Sequence, residues 1–307
     1  MSSHLPVLPQ EVLSLLEPKA GELFLDATFG GGGHTRLFLE SGVDVVAIDR
    51  DPEAEVRASL YKEEWGDRFE FFRLNFDQID QLPQERFDGI FLDIGVSSFQ
   101  LDEAERGFSF RSDAPADMRM DPDSGIPASQ WLEEASEQEL IEAVRNYGEE
   151  REWRRVVRAI IAARGSSKLG RTASLAELVA SAKTARARRE SRIHPATKTF
   201  QGIRIALNDE LGALERLLPK AFAKLNPGGR LAVISFHSLE DRIVKRYFRQ
   251  LCGQPVDARD HTPQQLREKV ADALTNRPVR ATAEEIEKNP RSRSARLRAI
   301  QKLEVIS

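Results

Sequence analysis

Short apolar runs that each end in an aspartate recur along the first third of the chain. Residues 23–25 precede Asp26 and residues 45–48 precede Asp49; residues 87–92, apolar except for Asp88 and Gly89, precede Asp93. Continuous apolar runs of this length are typical of buried strands in a parallel sheet. Helical patterns follow the first two runs, at residues 34–39 and 53–62, and residues 69–74 form another strand-like run. The alternation predicts an α/β fold with a doubly wound parallel sheet.

The alternation stops after residue 107. A polar loop at 108–125 is followed by helical patterns at 131–147, 150–164 and 175–184. The sheet pattern resumes with a long helix predicted at 200–225, a fifth strand at 230–236, a polar irregular stretch at 253–290 and a last strand at 296–306. We therefore predict a sheet domain made of residues 1–107 and 198–307, with an all-helical domain inserted at 108–197.

Four consecutive glycines at residues 30–33 follow the first predicted strand. They do not have the G-x-G-x-x-G spacing of a dinucleotide fold, and no Lys-Ser or Lys-Thr pair completes a P-loop. The flanking acids Asp26 and Asp49 would repel a pyrophosphate. The turn therefore favours a nucleoside without phosphates, and S-adenosylmethionine, which carries a sulfonium and an ammonium, fits. The alternative is a glycine-rich loop that only turns the chain.

Several side chains lie at the predicted ligand edge of this sheet. An acid at the end of the second strand, Asp49, can accept both ribose hydroxyls. Phe76 follows the third strand and is either a core aromatic or a surface on which adenine stacks. After the fourth strand come Asp93, Ser97 and Ser98, which can hold a base amine against a methyl donor. For the two serines, turn formation and helix capping are equally good interpretations.

The charge of the chain is segregated. The net charge is −4, yet residues 145–204 contain 15 Lys and Arg against 5 Asp and Glu, and residues 277–302 contain 8 against 3. Such segregation is typical of a polyanion-binding face on an acidic body. The most basic stretch, residues 183–192, is predicted to contact RNA in the inserted domain. The alternative is a solvated helix surface.

Composition excludes other classes of protein. The one cysteine, Cys252, rules out a disulfide framework and a cysteine-based metal cluster, and we expect no metal. No run of 18 apolar residues and no signal-peptide pattern occurs, so we expect a cytoplasmic protein with no membrane partner. The sequence leaves a homodimer open.

Several long motifs occur in order along almost the whole chain. They are HLPVLPQEVL from residue 4, DATFGGGGH from 26, AIDRDP from 47, LDIGVSSFQLDEAERGFSF from 92, DMRMD from 117, YGEER from 147, HPATKTFQ from 194, ISFHSLEDRIVK from 234 and NPRSRSARLR from 289. With these motifs the sequence closely resembles the bacterial small-subunit ribosomal RNA methyltransferases that modify cytidine N4, historically called MraW and now RsmH. The resemblance implies a Rossmann-like S-adenosylmethionine-dependent methyltransferase fold.

The resemblance also implies roles for individual residues. It places Gly32, Gly33 and His34 against S-adenosylmethionine, Asp49 on the ribose, Phe76 near the adenine, and Asp93 and Gln100 near the methionine end. The roles of His34 and Gln100 come from the resemblance alone.

The resemblance implies methylation of the N4 amine of a P-site cytidine in the decoding region of 16S rRNA, within the small ribosomal subunit. Two alternatives remain open at this point. One is an RNA-binding or ribosome-assembly factor that retains the cofactor, and the other is a methyltransferase acting on protein or a small metabolite.

Overall fold

The computed structural model describes residues 5–190 and 193–304, and contacts between residues divide the chain into two compact units. The sheet unit comprises Met1–Gly95 and Leu211–Ser307, and the helical unit comprises Val96–Glu210. The domain boundaries predicted from the sequence, 108 and 197, both lie within the helical unit. Two predicted features, Arg192 of the basic stretch and the end of the last strand at Ile306, lie outside the described residues.

The described part of the sheet unit contains a seven-stranded sheet. Its strands are β1 (Leu23–Asp26), β2 (Asp44–Asp49), β3 (Phe69–Arg73), β4 (Phe87–Asp93), β5 (Leu225–Ser235), β6 (Ala271–Ala273) and β7 (Arg296–Lys302). The order is β3-β2-β1-β4-β5-β7-β6; the first five are parallel, and β7 runs antiparallel to both β5 and β6. The predicted doubly wound α/β class is confirmed, as are β3 and the three strands that end at the predicted acids, β1, β2 and β4.

Helices surround the sheet and form the second unit. Along the chain they are α1 (Pro9–Leu16), α2 (Gly33–Glu40), α3 (Pro52–Trp65), α4 (Ser98–Asp102), α5 (Ala128–Glu134), α6 (Glu137–Ile141), α7 (Trp153–Ala163), α8 (Thr172–Ala182), α9 (Ala185–Glu190), α10 (Thr197–Leu207), α11 (Glu210–Ala223), α12 (Ser238–Leu251) and α13 (Ala283–Lys288).

Alternating strand residues face opposite sides of the sheet, because successive side chains of a strand point in opposite directions. On one face Leu25, Val46 and Ile90 pack in a cluster that includes apolar side chains of α11 and α12. On the other face Phe24 and Phe91 pack in a cluster with residues of α1, α2 and α3. Full burial of one such side chain contributes roughly 1.5–3 kcal/mol. Both faces are therefore covered, as a parallel sheet requires.

The helical unit has its own apolar core. In α7, Val156, Val157 and Ile160 are buried at helical spacing, and they pack with residues of α5, α6, α8 and α10. Helix α10 passes very close to the backbone of residues 142–147, since a Cβ at Gly202 would lie 2.0 Å from the carbonyl oxygen of Ala143. Only glycine permits this approach.

The prediction of a single helix at 131–147 is wrong. Helix α5 ends at Glu134, α6 begins at Glu137, and a π-helical segment covers Glu142–Tyr147. The break has a local cause. The Ser136 hydroxyl accepts a hydrogen bond from the Glu139 N–H at 3.2 Å, and the Glu139 carboxylate accepts one from the Ser136 N–H at 2.8 Å. This reciprocal capping box starts a new helix.

The prediction of one long helix at 200–225 is also wrong, because α10 ends at Leu207 and α11 begins at Glu210. Between them the Asn208 side chain accepts a hydrogen bond from the Met120 N–H and donates one to the Met118 carbonyl, both at 2.8 Å. Asp209 takes a positive φ of 47°. The break thus anchors the polar loop at 108–125.

Other element limits also differ from the prediction. The fifth strand begins at Leu225 rather than 230, and the stretch at 253–290 contains β6 and α13. Strand β6 has three residues, too few for an alternating pattern to be recognised in the sequence. No helix in the described ranges is both long and apolar enough to cross a membrane.

Candidate active site

Three aspartates lie at the carboxyl ends of neighbouring parallel strands in the sheet unit. Asp26 ends β1, Asp49 ends β2 and Asp93 ends β4. The strand order reverses between β1 and β4, which pair with each other in the middle of the sheet. Open α/β sheets bind ligands at such a reversal, outside the carboxyl ends of the strands. The candidate site therefore centres on these carboxyl groups.

Asp93 has a strongly perturbed pKa. Burial, followed by the charges of Asp26 and Glu240, raises the pKa of Asp93 to about 8. Its Oδ1 atom is buried and has no hydrogen-bond partner among the described residues. Its backbone N–H donates to the Thr28 hydroxyl at 2.6 Å, which ties the end of β4 to the end of β1. The carboxyl group is held in place, with an acceptor atom still available.

His34, the second residue of α2, lies beside Asp93. Its Nε2 is 2.9 Å from the Val7 carbonyl oxygen, and its Nδ1 is 3.9 Å from Asp93 Oδ2. Burial lowers the pKa of His34 to about 4, against the opposing effect of the Val7 carbonyl. The ring is therefore neutral near pH 7. With Nε2–H donating to Val7, the unprotonated Nδ1 faces the Asp93 carboxyl group.

Asp26 interacts electrostatically with both of the other acids. Burial raises the pKa of Asp26 to about 6, and the charge of Asp49 adds to the increase. Two hydrogen bonds oppose it: the Thr35 hydroxyl donates at 2.7 Å and the Thr28 N–H at 3.1 Å. The ends of β1, β2 and β4 thus form a coupled group in which negative charge is unfavourable.

Asp49 is oriented by the glycine turn itself. One carboxylate oxygen accepts the Gly30 N–H at 2.8 Å, and the other accepts the Asp51 N–H at 2.9 Å. Burial also raises the pKa of Asp49, in spite of these two bonds. Each carboxylate oxygen has a second lone pair, so both can still accept a hydroxyl proton. This orientation suits a pair of adjacent ribose hydroxyls.

The glycine turn is shaped by packing behind it. A Cβ at Gly32, whose φ is 78°, would lie 2.5 Å from the Tyr61 ring, and the Tyr61 hydroxyl donates to the Gly32 carbonyl at 3.0 Å. At Gly33 a Cβ would lie 3.3 Å from Pro6. Gly32 is therefore required by its contact with α3, whatever it does for a ligand. The predicted cofactor contacts of Gly32 and Gly33 stay predictions.

Phe76 begins a short 3-10 helix, Phe76–Gln81, directly after β3. It is half-buried and packs against the apolar cluster on the α11 side of the sheet. Part of the Phe76 ring is therefore a core aromatic, as one of the two interpretations of the sequence expects. The other part is exposed, and stacking of adenine on it stays a prediction.

Ser97, Ser98 and Gln100 belong to the helical unit, where they form the start of α4. The Ser97 hydroxyl accepts the Gln100 N–H at 3.2 Å, and the Gln100 side-chain oxygen accepts the Ser97 N–H at 3.0 Å. This capping box gives Ser97 and Gln100 a structural role. Ser98 is the first helical residue. The roles in catalysis and cofactor binding predicted for these residues stay predictions.

The sequence interpretation missed Thr28, Thr35 and Glu240. Both threonines lie in or beside the glycine motif and bond to the acids, as described above. Glu240 is 1% exposed and accepts the Phe236 and His237 N–H groups at 2.8 and 3.2 Å. A capping box therefore starts α12 at His237 with Glu240. The buried Glu240 carboxylate of this capping box contributes to the raised pKa of Asp93.

Comparison with known proteins identifies the family. The model of the MraW methylase family matches residues 1–303. The chain belongs to the MraW methylase family. Within it, the chain is 47% identical to the ribosomal RNA small subunit methyltransferase H of Heliobacterium modesticaldum, over 98% of each chain. It is 48% identical to the protein of the same name from Methylobacterium nodulans, over 97% of this chain and 90% of the relative.

A solved structure, an rRNA methylase from Streptococcus thermophilus, is similar over 96% of this chain and 93% of its own, with a TM-score of 0.43 and 11% identity. This likeness is too weak to add to what the strand order shows. Membership of the MraW methylase family rests on the sequence.

The described residues fit the methyl donor expected for an MraW methylase. S-adenosylmethionine carries a sulfonium, an ammonium and ribose hydroxyls but no phosphate. Burial raises the pKa values of all three acids, and the charges of neighbouring acids raise them further. A cationic ligand would favour their ionised forms. The buried Oδ1 of Asp93 also lacks a donor within the described ranges.

We expect cofactor binding to strengthen as the pH rises from 6 to 8. Below pH 8 Asp93 is protonated, and the cation binds its ionised form, so binding must release a proton. The slope should reach up to about tenfold in affinity per pH unit. Calorimetry in two buffers of different ionisation enthalpy measures both the affinity and the released proton.

S-adenosylhomocysteine is the matched control for this experiment. It lacks the sulfonium charge but retains the amino group, and the titration of each free ligand is measured separately and subtracted. Equal pH dependence for the two ligands would contradict the assignment of Asp93 to the sulfonium.

Proposed function

We propose that the protein methylates the N4 amine of a P-site cytidine in the decoding region of 16S rRNA. The coarser activity follows from the family: the protein is an S-adenosylmethionine-dependent methyltransferase of small-subunit ribosomal RNA. The observation that supports an amine target is the buried, unpartnered acceptor of Asp93 at the end of β4.

An exocyclic amine on a pyrimidine is a poor nucleophile because its lone pair is delocalised into the ring. An acceptor that draws the amine hydrogens out of the ring plane restores the lone pair. Asp93 supplies such an acceptor. Once a bound cation has ionised Asp93, its carboxylate can also accept a proton from the amine.

When bound, S-adenosylmethionine supplies a methyl group on a sulfonium leaving group. In the sheet unit, Asp49 would hold the ribose, Gly32, Gly33 and Phe76 would contact the nucleoside, and His34 with Asp93 would lie at the methionine end. Asp93 would orient the target amine and take its proton. His34, neutral near pH 7, would add no positive charge beside the sulfonium.

The target base must also leave its stack, which costs a few kcal/mol. Contacts with the RNA backbone must offset this cost. The helical unit offers cations for such contacts, but not all those counted in the sequence are available. Lys183, at the start of the basic stretch, is buried in an ion pair with Glu150, and Arg186 pairs with Glu190 at 2.8 Å.

The exposed face of α7 is the better candidate. Arg151 just before the helix and Arg154, Arg155 and Arg158 within it are exposed, opposite the buried face of the same helix. We call these four residues the arginine ridge. No acidic side chain of the described chain lies within ion-pair distance of them. An unneutralised row of guanidinium groups suits the phosphates of an RNA strand.

We expect the double variant Arg155→Gln/Arg158→Gln to weaken RNA binding and to flatten its salt dependence by up to about 1.4–1.8 log units per log unit of salt. This is the slope for two phosphate contacts at about 0.7–0.9 each. Affinity measured at several salt concentrations gives the slope.

The matched control is Arg171→Gln/Arg186→Gln, which removes the same charge from the same unit at arginines that already pair with Asp113 and Glu190. If the control lowers the salt slope of RNA affinity as much as the ridge variant does, the effect comes from net charge, and the arginine ridge does not contact the RNA.

The proposed function is tested with tritiated cofactor and separate pools of naked 16S rRNA, assembled small subunits and total protein. Label is expected in the RNA of the small subunit, as N4-methylcytidine after digestion to nucleosides. Label in protein or in a small metabolite would point to another substrate. Cofactor binding without transfer to any pool would indicate an RNA-binding or assembly factor.

A further inference from the structure

A small cavity lies in the sheet unit beside α12, β6 and β7. Its volume is about 200 Å³. On the α12 side, residues spaced three and four apart share one face, which brings Lys245, Phe248, Arg249 and Cys252 together. Phe248 and Cys252 are almost fully buried and form its apolar floor. This cavity lies outside the group of acids at the ends of β1, β2 and β4.

The cavity is lined by three cations and by no acidic residue. They are Lys245 and Arg249 of α12 and Arg298 of β7. Arg298 is largely neutralised, since its guanidinium donates to the Asp241 carboxylate at 2.7 and 3.3 Å. Lys245 and Arg249 have no ion-pair partner within the described ranges. The cavity therefore has an excess of positive charge.

Arg249 carries the strongest sign of a ligand. Its Nε atom is buried and has no hydrogen-bond partner in the part of the chain that the structure describes. A buried donor on a charged group is costly when it stays unpaired. An acceptor that enters the cavity would remove this cost.

The remaining polar groups of the lining can also donate. The Thr275 oxygen accepts the Ala299 N–H at 3.1 Å, so the hydroxyl proton is directed elsewhere. Asn276 and Gln254 add side-chain amides. Guanidinium, ammonium, hydroxyl and amide donors around one space match an oxyanion with several acceptor oxygens.

The size of the cavity limits the ligand. At about 30 Å³ per water, 200 Å³ holds about six or seven water volumes. Sites for nucleotides and other small molecules are larger, about 300–1,000 Å³. The space suits one phosphate group with a few waters, and a nucleoside would have to remain outside.

We propose that this cavity binds a phosphate group and that the phosphate belongs to the backbone of the substrate RNA. The choice of RNA rests on the proposed function, and it is favoured because Arg298 belongs to the second basic segment of the chain, residues 277–302. A free phosphate or a phosphorylated small molecule would present the same chemistry. The experiments below therefore separate the two sources.

The first experiment measures RNA affinity over a range of salt concentrations for Lys245→Gln/Arg249→Gln. Loss of one phosphate contact should lower the slope by about 0.7–0.9. The matched control is Arg246→Gln/Lys269→Gln, which removes two exposed cations from the same region, each already paired with an acid, Asp257 or Asp272. A slope equal to that of the control would overturn the RNA assignment. Lys245→Gln alone replaces the double variant if the latter fails to fold.

The second experiment needs no RNA. Inorganic phosphate is titrated into the full chain labelled with ¹⁵N, and the Arg249 Nε–H resonance, assigned by its absence in Arg249→Gln, is followed. A saturable shift that chloride at equal ionic strength does not produce supports the phosphate site. Absence of that shift overturns it.

Together the two experiments separate the sources of the phosphate. A shift without any change in the RNA slope would mean that the phosphate comes from a source other than RNA. A wild-type protein that shows the shift but methylates no rRNA would retain the phosphate site and refute the proposed function.

Discussion

Methyl transfer by Asp93→Ala, measured in single turnovers at saturating cofactor, is expected to be about 100- to 10,000-fold slower than in the wild type. This is the range for loss of a group that positions and deprotonates a nucleophile. RNA affinity should stay close to that of the wild type, because the arginine ridge is untouched. Rapid-quench kinetics with labelled cofactor measures the rate directly.

Loss of the fold can be distinguished from loss of chemistry in this variant. Asp93 Oδ1 has no hydrogen-bond partner in the described ranges, so removing the carboxyl group should not lower the melting temperature. Asp88 on the same strand is the matched control. Its carboxylate accepts the Leu23 N–H at 2.9 Å and the Asn226 amide at 2.7 Å. Asp88→Ala should therefore destabilise the protein and leave the transfer rate intact. Wild-type transfer by Asp93→Ala would remove Asp93 from the chemistry.

The second large effect is expected at Asp49. Asp49→Ala should weaken cofactor binding by roughly 2–4 kcal/mol, because two charge-assisted hydrogen bonds to the ribose are lost. This corresponds to an increase in Kd of about 30- to 700-fold. Calorimetric titration measures the change.

Asp49→Asn provides a graded comparison, since an amide retains one acceptor oxygen. It should lie between the wild type and Asp49→Ala. The control is Asp51→Ala, which removes the N-terminal cap of α3 but leaves the Asp51 N–H that orients Asp49. An affinity that does not change in Asp49→Ala would contradict the ribose assignment.

The sheet and its acids could be predicted from the sequence because their signals are local. A short apolar run predicts a buried strand, and the acid that follows it must lie at the edge of the sheet. Asp49 and Asp93 were found in this way. The helix break at Ser136 also had a local signal, the spacing of Ser136 and Glu139, which the helical periodicity around it concealed.

Other features depend on partners far away in the sequence. The break at Asn208 is stabilised by backbone groups of Met118 and Met120, about 90 residues earlier. The contact of Gly32 with Tyr61, and the effect of Glu240 on Asp93, likewise arise only when separate elements pack. No pattern within a short window contains this information. The same reason explains why the ion pair of Lys183 with Glu150 was not anticipated.

The pairing of β4 with β5 has a consequence for the newly made chain. Residues 94–224 separate these two strands, so β4 has no partner on that side while the helical unit is being synthesised. At a synthesis rate of about 5–20 residues per second, the delay between completion of β4 and the start of β5 is roughly 7–26 s. During that time the apolar side chains of Ile90 and Leu92 and a row of unpaired backbone groups remain open to association with other chains. The helical unit, which has its own core, can fold in the interval.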